Sequence, residues 1–379
     1  MRYLLMIPGP VEVPEDILES FSGQPVAHYG TEWRNLYLDT IKAVSKILGT
    51  RGMSFLIPGS GSLGLETAAS TFCKDKKCLI LHNGFFGERL VDILSTLSGE
   101  EVDVLRFGFG SPVDLEALKK KLNTNSYDIV FMTHVETSTG MLNPAREAAG
   151  IVKEQGALFF LDAISSAGIE ELRMDEWGID LVIAASQKGF ESPPGLAIVS
   201  CREELLNRII GSPTLSWYTD LRVWYEYFEK WNDWHPFPVT LPTNIVKAFA
   251  KSIEILSNEG ISARIADQKE SAERLHAAMG VLGLKNYVEN GFSAHGLTSI
   301  STEDKFAAPE LVNFLKKRMG IQIAGSLGAL TNTVFRIGHM SREQRKVSNL
   351  ISVVTGIALF MESKGLKADL KQALKKLLD

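Results

Sequence analysis

Between residues 53 and 210 the chain alternates short apolar runs with amphipathic stretches, and this pattern restricts the possible folds more than any other feature of the sequence. Runs at 53–57, 78–82, 102–107, 128–135, 157–162, 181–185 and 195–200 read as strands. Most are continuously hydrophobic, the pattern of strands covered on both faces. Between them 63–72, 88–97, 115–122 and 146–154 show helical spacing, with Ser62 and Asp114 placed as caps. Strands that alternate with helices predict an α/β fold with a largely parallel central sheet.

The pattern changes beyond this region. From 211 to 242 the chain gathers four of its six tryptophans, Trp217, Trp224, Trp231 and Trp234, with Tyr218, Tyr225, Tyr227, Phe228 and Phe237 among them. Ordinary helix packing explains such a segment, and so does a subunit interface or the wall of a site, since aromatics are enriched in all three. Helical spacing over 245–279, a mixed region with candidate elements at 299–300, 311–318 and 334–337, and a closing helix over 348–378 predict a smaller α+β unit. The expected division is an N-terminal arm and large domain over 1–255 and a small C-terminal domain over 256–379.

Composition narrows the partners. The net charge of −5 is mixed along the chain, so no basic block exists for a nucleic acid or a lipid surface. No apolar run approaches the roughly 18 residues of a spanning helix. Cys73, Cys78 and Cys201 are too few for a disulfide framework, and Pro8 and Pro10 interrupt the apolar start of the chain, so the expected compartment is the cytoplasm. Cys73 and Cys78 lack a second Cys or His pair at zinc spacing, and no metal site is expected.

Three features lie at the ends of predicted strands, where open α/β sheets bind ligands. Pro58-Gly59-Ser60-Gly61-Ser62 leads into a helix and offers backbone N–H groups and hydroxyls to an anion. It is neither a dinucleotide fingerprint nor a Walker A loop. Asp162 closes a very apolar strand, and Ser186-Gln187-Lys188 follows the next one, before the Pro193-Pro194-Gly195 turn. Each has a plainer reading alone: a tight turn, a turn cap, a solvated lysine. Together they match one cofactor. Pyridoxal 5′-phosphate needs an anion site for its phosphate, a carboxylate that keeps its pyridine nitrogen protonated, and a lysine for its aldehyde.

With these residues in view, the sequence resembles the class V, fold-type I aminotransferases that use pyridoxal phosphate, and among them the alanine–glyoxylate and serine–pyruvate group. The resemblance covers nearly the whole chain. It rests on Pro8-Gly9-Pro10, Gly59-Ser60-Gly61 with Leu65-Glu66, Asn83-Gly84-Phe85-Phe86-Gly87, and His134-Val135-Glu136-Thr137-Ser138-Thr139-Gly140. Asp162, Ser186-Gln187-Lys188 with Pro193-Pro194-Gly195, and Phe335-Arg336-Ile337-Gly338 complete it.

The resemblance implies that Lys188 forms the Schiff base with the cofactor and that Asp162 pairs with the pyridinium nitrogen. Ser60, Gly61 and Ser62 would hold the phosphate with Gln187, Phe86 would stack on the ring where relatives often carry Trp, and Thr137 would lie near the ring oxygen. Arg336 would grip the substrate carboxylate and Gly9 would lie in the turn that closes the site. A homodimer with the site at the subunit interface is also implied. Relatives often complete the phosphate site with a Tyr and a Thr of the partner, whereas this chain reads Asp233-Trp234-His235-Pro236-Phe237-Pro238-Val239-Thr240, and neither Trp234, His235, Thr240 nor Thr243 is assigned that role.

The expected reaction moves the amino group of alanine or serine to glyoxylate or pyruvate. A single matched arginine, Arg336, favours monocarboxylates, while no motif places Arg34, Arg89 or Arg345. Class V transaminases of ureidoglycine, aminoethylphosphonate or pyridoxamine are the alternatives. A desulfurase or other β-eliminating lyase fits less well, because no Cys follows Cys201 and Gln187 stands where such enzymes commonly have His.

Overall fold

Seven apolar runs become seven strands of one sheet. In the computed structural model, which describes residues 2–97, 102–209, 214–289 and 291–379, they are β1 (Met53–Pro58), β2 (Cys78–His82), β3 (Asp103–Arg106), β4 (Ile129–Thr133), β5 (Leu158–Asp162), β6 (Leu181–Ala185) and β7 (Leu196–Cys201). The order across the sheet is β1-β7-β6-β5-β4-β2-β3. Only β7 runs against its neighbours; the pairs β6–β5, β5–β4, β4–β2 and β2–β3 are parallel. Successive side chains of a strand point to opposite faces, and every residue of β2, β4, β6 and β7 is buried. Both faces of the sheet are therefore covered, which is why these strands read as unbroken hydrophobic runs.

Helices Thr31–Ile47, Gly61–Phe72, Phe85–Leu97 and Ala145–Glu154 pack on this sheet. Asp114 caps the helix Leu115–Thr124, accepting from the amides of Glu116 and Ala117. Ser62 does not cap. The helix begins at Gly61 with Ser60 in the capping position, and Ser60 makes no side-chain cap bond, while the hydroxyl of Ser62 accepts from Arg89 at 3.4 Å. The apolar stretch 128–135 also divides, into β4 and a two-residue strand Val135–Glu136 that pairs with Met141–Leu142.

The smaller sheet comprises β8 (Lys285–Asn286), β9 (Leu297–Ser301), β10 (Ala324–Gly325) and β11 (Val334–Gly338), antiparallel in the order β8-β9-β11-β10. The helical stretch expected over 245–279 and the single closing helix expected over 348–378 each comprise two helices. Thr243–Glu259 and Ile261–Val281 meet at Gly260, whose φ of +83° ends the first; Val347–Ser363 and Leu370–Leu378 are separated by a turn with Gly365 at φ +75°. One hydrophobic cluster runs from Trp33 to Leu256, and a second joins Met6 to residues from Leu275 to Leu377. Leu4–Leu5 pairs in parallel with Ile321–Gln322, so the first described residues pack with the second cluster.

A small third cluster of Val11, Val135, Ile169, Ala294, Leu297 and Met340 lies between the two. Beside it, fully buried Arg264 donates to the carbonyls of Gly168, Gly189 and Met340 and to Glu191 at 2.5 Å. This residue ties the loop after Lys188 to the end of β11. Among the described residues no helix is long and apolar enough to cross a membrane, and no group of three or more His, Cys, Asp or Glu is placed to hold a metal ion.

The aromatic segment serves two environments, and its first residues, 211–213, lie outside the described ones. Trp224 of the helix Leu221–Trp231 is 1% exposed and belongs to the core, whereas Trp217 and Trp234 are 53% and 44% exposed.

Candidate active site

Parallel strands bring their C-terminal ends to one edge, and four of the seven strands deliver polar residues there. β1 leads into Ser60, Gly61 and Ser62; β4 is followed by the Thr133–Thr139 run; β5 ends on Asp162; β6 leads into Gln187 and Lys188. Asp162 is paired in register with Ile183 of β6, which places Lys188 beside it. Ser60, Gly61, Ser62, Phe86, Thr137, Asp162, Gln187 and Lys188 line a cavity of about 210 Å³, with Arg89, Thr133 and Ser165 also in the wall. An adjoining cavity of about 450 Å³ shares Phe86, Thr137 and Lys188 and adds Gly9 and Arg336. All ten residues singled out from the sequence thus border one of two connected spaces.

Asp162 is buried and uses one carboxylate oxygen to accept from the amide of Ile164 at 2.9 Å. Burial, helped by the charge of Glu136, pushes its carboxyl up to about 7. Burial and the charge of Arg336 lower the ammonium of Lys188 to about 7. Its Nζ donates to the carbonyl of Pro8. A β-carbon on Gly9, at φ +118°, would come within 2.8 Å of that Nζ, so this turn tolerates only glycine against the lysine.

These shifts set a pH dependence. A carboxyl raised from 3.8 to about 7 in the folded state contributes stability that is complete below its unfolded pKa and lost as pH rises through the folded value. A lysine lowered from 10.5 to about 7 contributes stability above its unfolded pKa that is lost as pH falls. In the cofactor-free protein both contributions are therefore smallest near neutrality. Thermal unfolding from about pH 4 to about pH 7 should show Asp162→Asn gaining progressively on the wild type, because the amide has no proton to release. A difference between the two that stays flat with pH would contradict the burial of an uncompensated carboxyl.

A second carboxylate organises the site, and the sequence reading gave it no role. Glu136 is fully buried and accepts four hydrogen bonds: from the amides of Phe86 (3.0 Å) and Gly87 (3.2 Å), and from the amide (3.0 Å) and hydroxyl (2.6 Å) of Ser138. It thereby fixes the start of the helix that carries Phe86. Gly84 permits this approach, since a β-carbon there would lie 2.3 Å from Cγ of Glu136. A single carboxylate within a run of hydroxyl residues was the one sequence signal pointing to it.

Arg336, on β11, reaches the edge of the large sheet. Its Nη1 donates to the carbonyl of Thr137 at 2.7 Å, and Nε and Nη2 donate to that of Gly325 at 3.0 and 2.7 Å. A guanidinium carries five N–H groups, so one on each Nη is left for a ligand. Burial lowers its pKa to about 10, so it stays cationic at neutral pH. The other arginines lacking a motif separate clearly. Arg34 donates to the carbonyl of Asn232 (2.5 Å), and Arg345 is held by Asp267 (2.9 Å) and the carbonyl of Met340 (3.1 Å). Only Arg89 of these three lines the cavity.

The residues fit pyridoxal phosphate. The hydroxyls of Ser60 and Ser62 at a helix start can donate to its phosphate, and the side-chain amide of Gln187 lines the same cavity. The uncompensated carboxyl of Asp162 matches a protonated ring nitrogen, and a lysine with a lowered pKa matches an aldehyde.

Residues 19–342 match the model of the family described as aminotransferase class V. An uncharacterized aminotransferase of Methanocaldococcus jannaschii is 30% identical over 345 residues, covering 90% of this chain and 88% of the relative. Alanine–glyoxylate aminotransferase 1 of Saccharomyces cerevisiae is 28% identical over 357 residues, covering 89% and 91%. The crystal structure of ureidoglycine–glyoxylate aminotransferase from Bacillus subtilis superposes with a TM-score of 0.93 at 25% identity, covering 100% of this chain and 98% of that one. With a lysine, a carboxylate and an anion cradle gathered at the sheet edge, the chain belongs to the class V aminotransferases and uses pyridoxal 5′-phosphate as its cofactor.

Proposed function

We propose that the enzyme transfers the amino group of a small amino acid, alanine or serine, to a small 2-oxo acid, glyoxylate or pyruvate. The observation that carries this reading is the second cavity, where Arg336 is the one arginine among the described lining residues and keeps two N–H groups free. One such fork suits one carboxylate. The likeness to an alanine–glyoxylate aminotransferase supports the acceptor class. The likeness to ureidoglycine–glyoxylate aminotransferase favours a second reading, in which the amino donor is a ureido compound and glyoxylate remains the acceptor.

When bound, the cofactor supplies an electrophilic carbon and an electron sink for the substrate's α-carbon. Lys188 borders both cavities, and its Nζ is placed to take the proton from that carbon and to give it back. With the cofactor bound, Asp162 would hold positive charge at the ring nitrogen, Phe86 would cover one ring face and Thr137 would lie near the ring oxygen. Ser60, Gly61, Ser62 and Gln187 would hold the phosphate. Arg336 would orient the substrate carboxylate, and the Pro8-Gly9 turn packs directly against Lys188.

We assign the arm and large domain to residues 1–255 and the small domain to 256–379. A homodimer with the site near its interface is supported by the exposed Phe21, Val26, Tyr29, Trp217 and Trp234, with Tyr29 and Trp234 in edge contact at 6.1 Å between centroids. The buried free thiols Cys73, Cys78 and Cys201 support a cytoplasmic setting.

The test is a matrix of donors (alanine, serine, aspartate, ureidoglycine and an amine without a carboxylate) against glyoxylate and pyruvate, run on the wild type and Arg336→Lys. Alanine or serine with glyoxylate should give the highest kcat/KM. Lysine offers a point charge in place of a planar fork, so the variant should lose about 10- to 100-fold or more for amino acids, from roughly 1.5–3 kcal/mol of charged hydrogen bonding. Equal losses for the amine without a carboxylate would sink the role of Arg336. A wild-type preference for aspartate would sink the monocarboxylate reading.

A further inference from the structure

We propose that Arg89 is a phosphate ligand of the cofactor site, supplying the cation of an anion cradle whose other donors are neutral. The inference rests on reading the cavity as the pyridoxal-phosphate site. Its observations are geometric. Arg89 lines the cavity with Ser60, Gly61, Ser62 and Gln187, and its Nη1 donates to the hydroxyl of Ser62 at 3.4 Å. The second cavity, where Arg336 lies, does not include it. Its charge therefore belongs to the phosphate end and not to the substrate-carboxylate end.

Arg89 is also held ready. Its guanidinium lies 4.8 Å from the ring centre of Phe86 and 5.5 Å from that of Phe85, an arrangement that orients the planar group and leaves its edge free. Among the described residues it forms no ion pair. Glu88, its neighbour in the chain, is instead paired with Arg106 and His82 at 2.8 Å each. A half-buried guanidinium without an acidic partner, hydrogen-bonded to a serine at a helix start, has the charge and planar fork that a phosphate dianion requires. The hydroxyls of Ser60 and Ser62, the backbone N–H groups and the amide of Gln187 supply direction but no net charge.

The experiment measures binding, with activity left aside. Cofactor-free wild type, Arg89→Met and Arg89→Lys are titrated with pyridoxal 5′-phosphate and with pyridoxal, which has the same ring and aldehyde without the phosphate, followed by absorbance and tryptophan fluorescence. Arg89→Met keeps an unbranched apolar stem against Phe85 and Phe86. It should weaken pyridoxal phosphate about 10- to 100-fold and leave pyridoxal unchanged. Arg89→Lys keeps the charge and should hold the phosphate preference to within about tenfold, which guards against a folding defect in the methionine variant. Inorganic phosphate should compete with pyridoxal phosphate more strongly in the wild type than in Arg89→Met.

Equal losses for the two ligands, or no loss for either, would overturn the assignment. So would intact affinity for pyridoxal phosphate combined with loss of turnover for a dicarboxylate donor, which would make Arg89 a second substrate subsite. A wild type that bound neither ligand would refute the cofactor reading itself and this inference with it.

Discussion

Lys188→Ala should abolish transamination while leaving pyridoxal phosphate bound without a covalent link. Loss of a positioned proton-transfer group alone is worth on the order of 10²–10⁴ in rate, and the amine that would join the aldehyde is lost as well. The remaining wall of the cavity is untouched: Ser60, Gly61, Ser62, Gln187, Phe86 and Asp162 lie on other side chains and backbone. Gel filtration followed by release of the cofactor in alkali should find it retained in the inactive variant. Turnover within about tenfold of the wild type would remove Lys188 from the chemistry.

Asp162→Asn should reduce kcat by roughly 10²–10³, the loss typical of removing one preorganised electrostatic group, with a smaller loss of cofactor affinity. The amide cannot hold a proton on the ring nitrogen, and that proton matters more in the transition state than in the bound state. The substitution separates two roles. If Asp162 served only to accept from the amide of Ile164 at 2.9 Å, the carbonyl of asparagine would do so nearly as well, and activity would survive. Steady-state kinetics at saturating cofactor, with a separate cofactor titration, distinguishes these outcomes.

The central sheet was legible because each of its strands is buried on both faces, which leaves a run of Val, Ile, Leu, Phe and Ala that cannot be mistaken for a surface. The glycine breaks at Gly260 and Gly365 were not, because helical spacing continues on both sides and a single glycine inside a helix costs only about 1 kcal/mol. Only the backbone shows that these two lie at positive φ. The short pairing of Leu4–Leu5 with Ile321–Gln322 joins segments from opposite ends of the chain, and nothing local signals it. The serine-glycine loop at 58–62, Asp162 and Lys188 were readable because a parallel sheet delivers the residues after its strands to one edge, whereas Gly9, Phe86, Thr137 and Arg336 stood out only through the family resemblance. Glu136 escaped because its partners are backbone amides brought near by folding, which no spacing rule records. No motif placed Arg89 in the sequence; the neighbouring helix start at Gly61 makes it part of the cavity.

Every role proposed for the cavity depends on Lys188 being the amine to which the cofactor attaches. Borohydride reduction of the purified holoenzyme, followed by proteolysis and mass spectrometry, tests it most directly. A single reduced pyridoxyl-phosphate adduct is expected on the peptide containing Lys188, absent when Lys188→Ala is treated in the same way. An adduct on any other lysine of the wild type, with Lys188 unmodified, would contradict it.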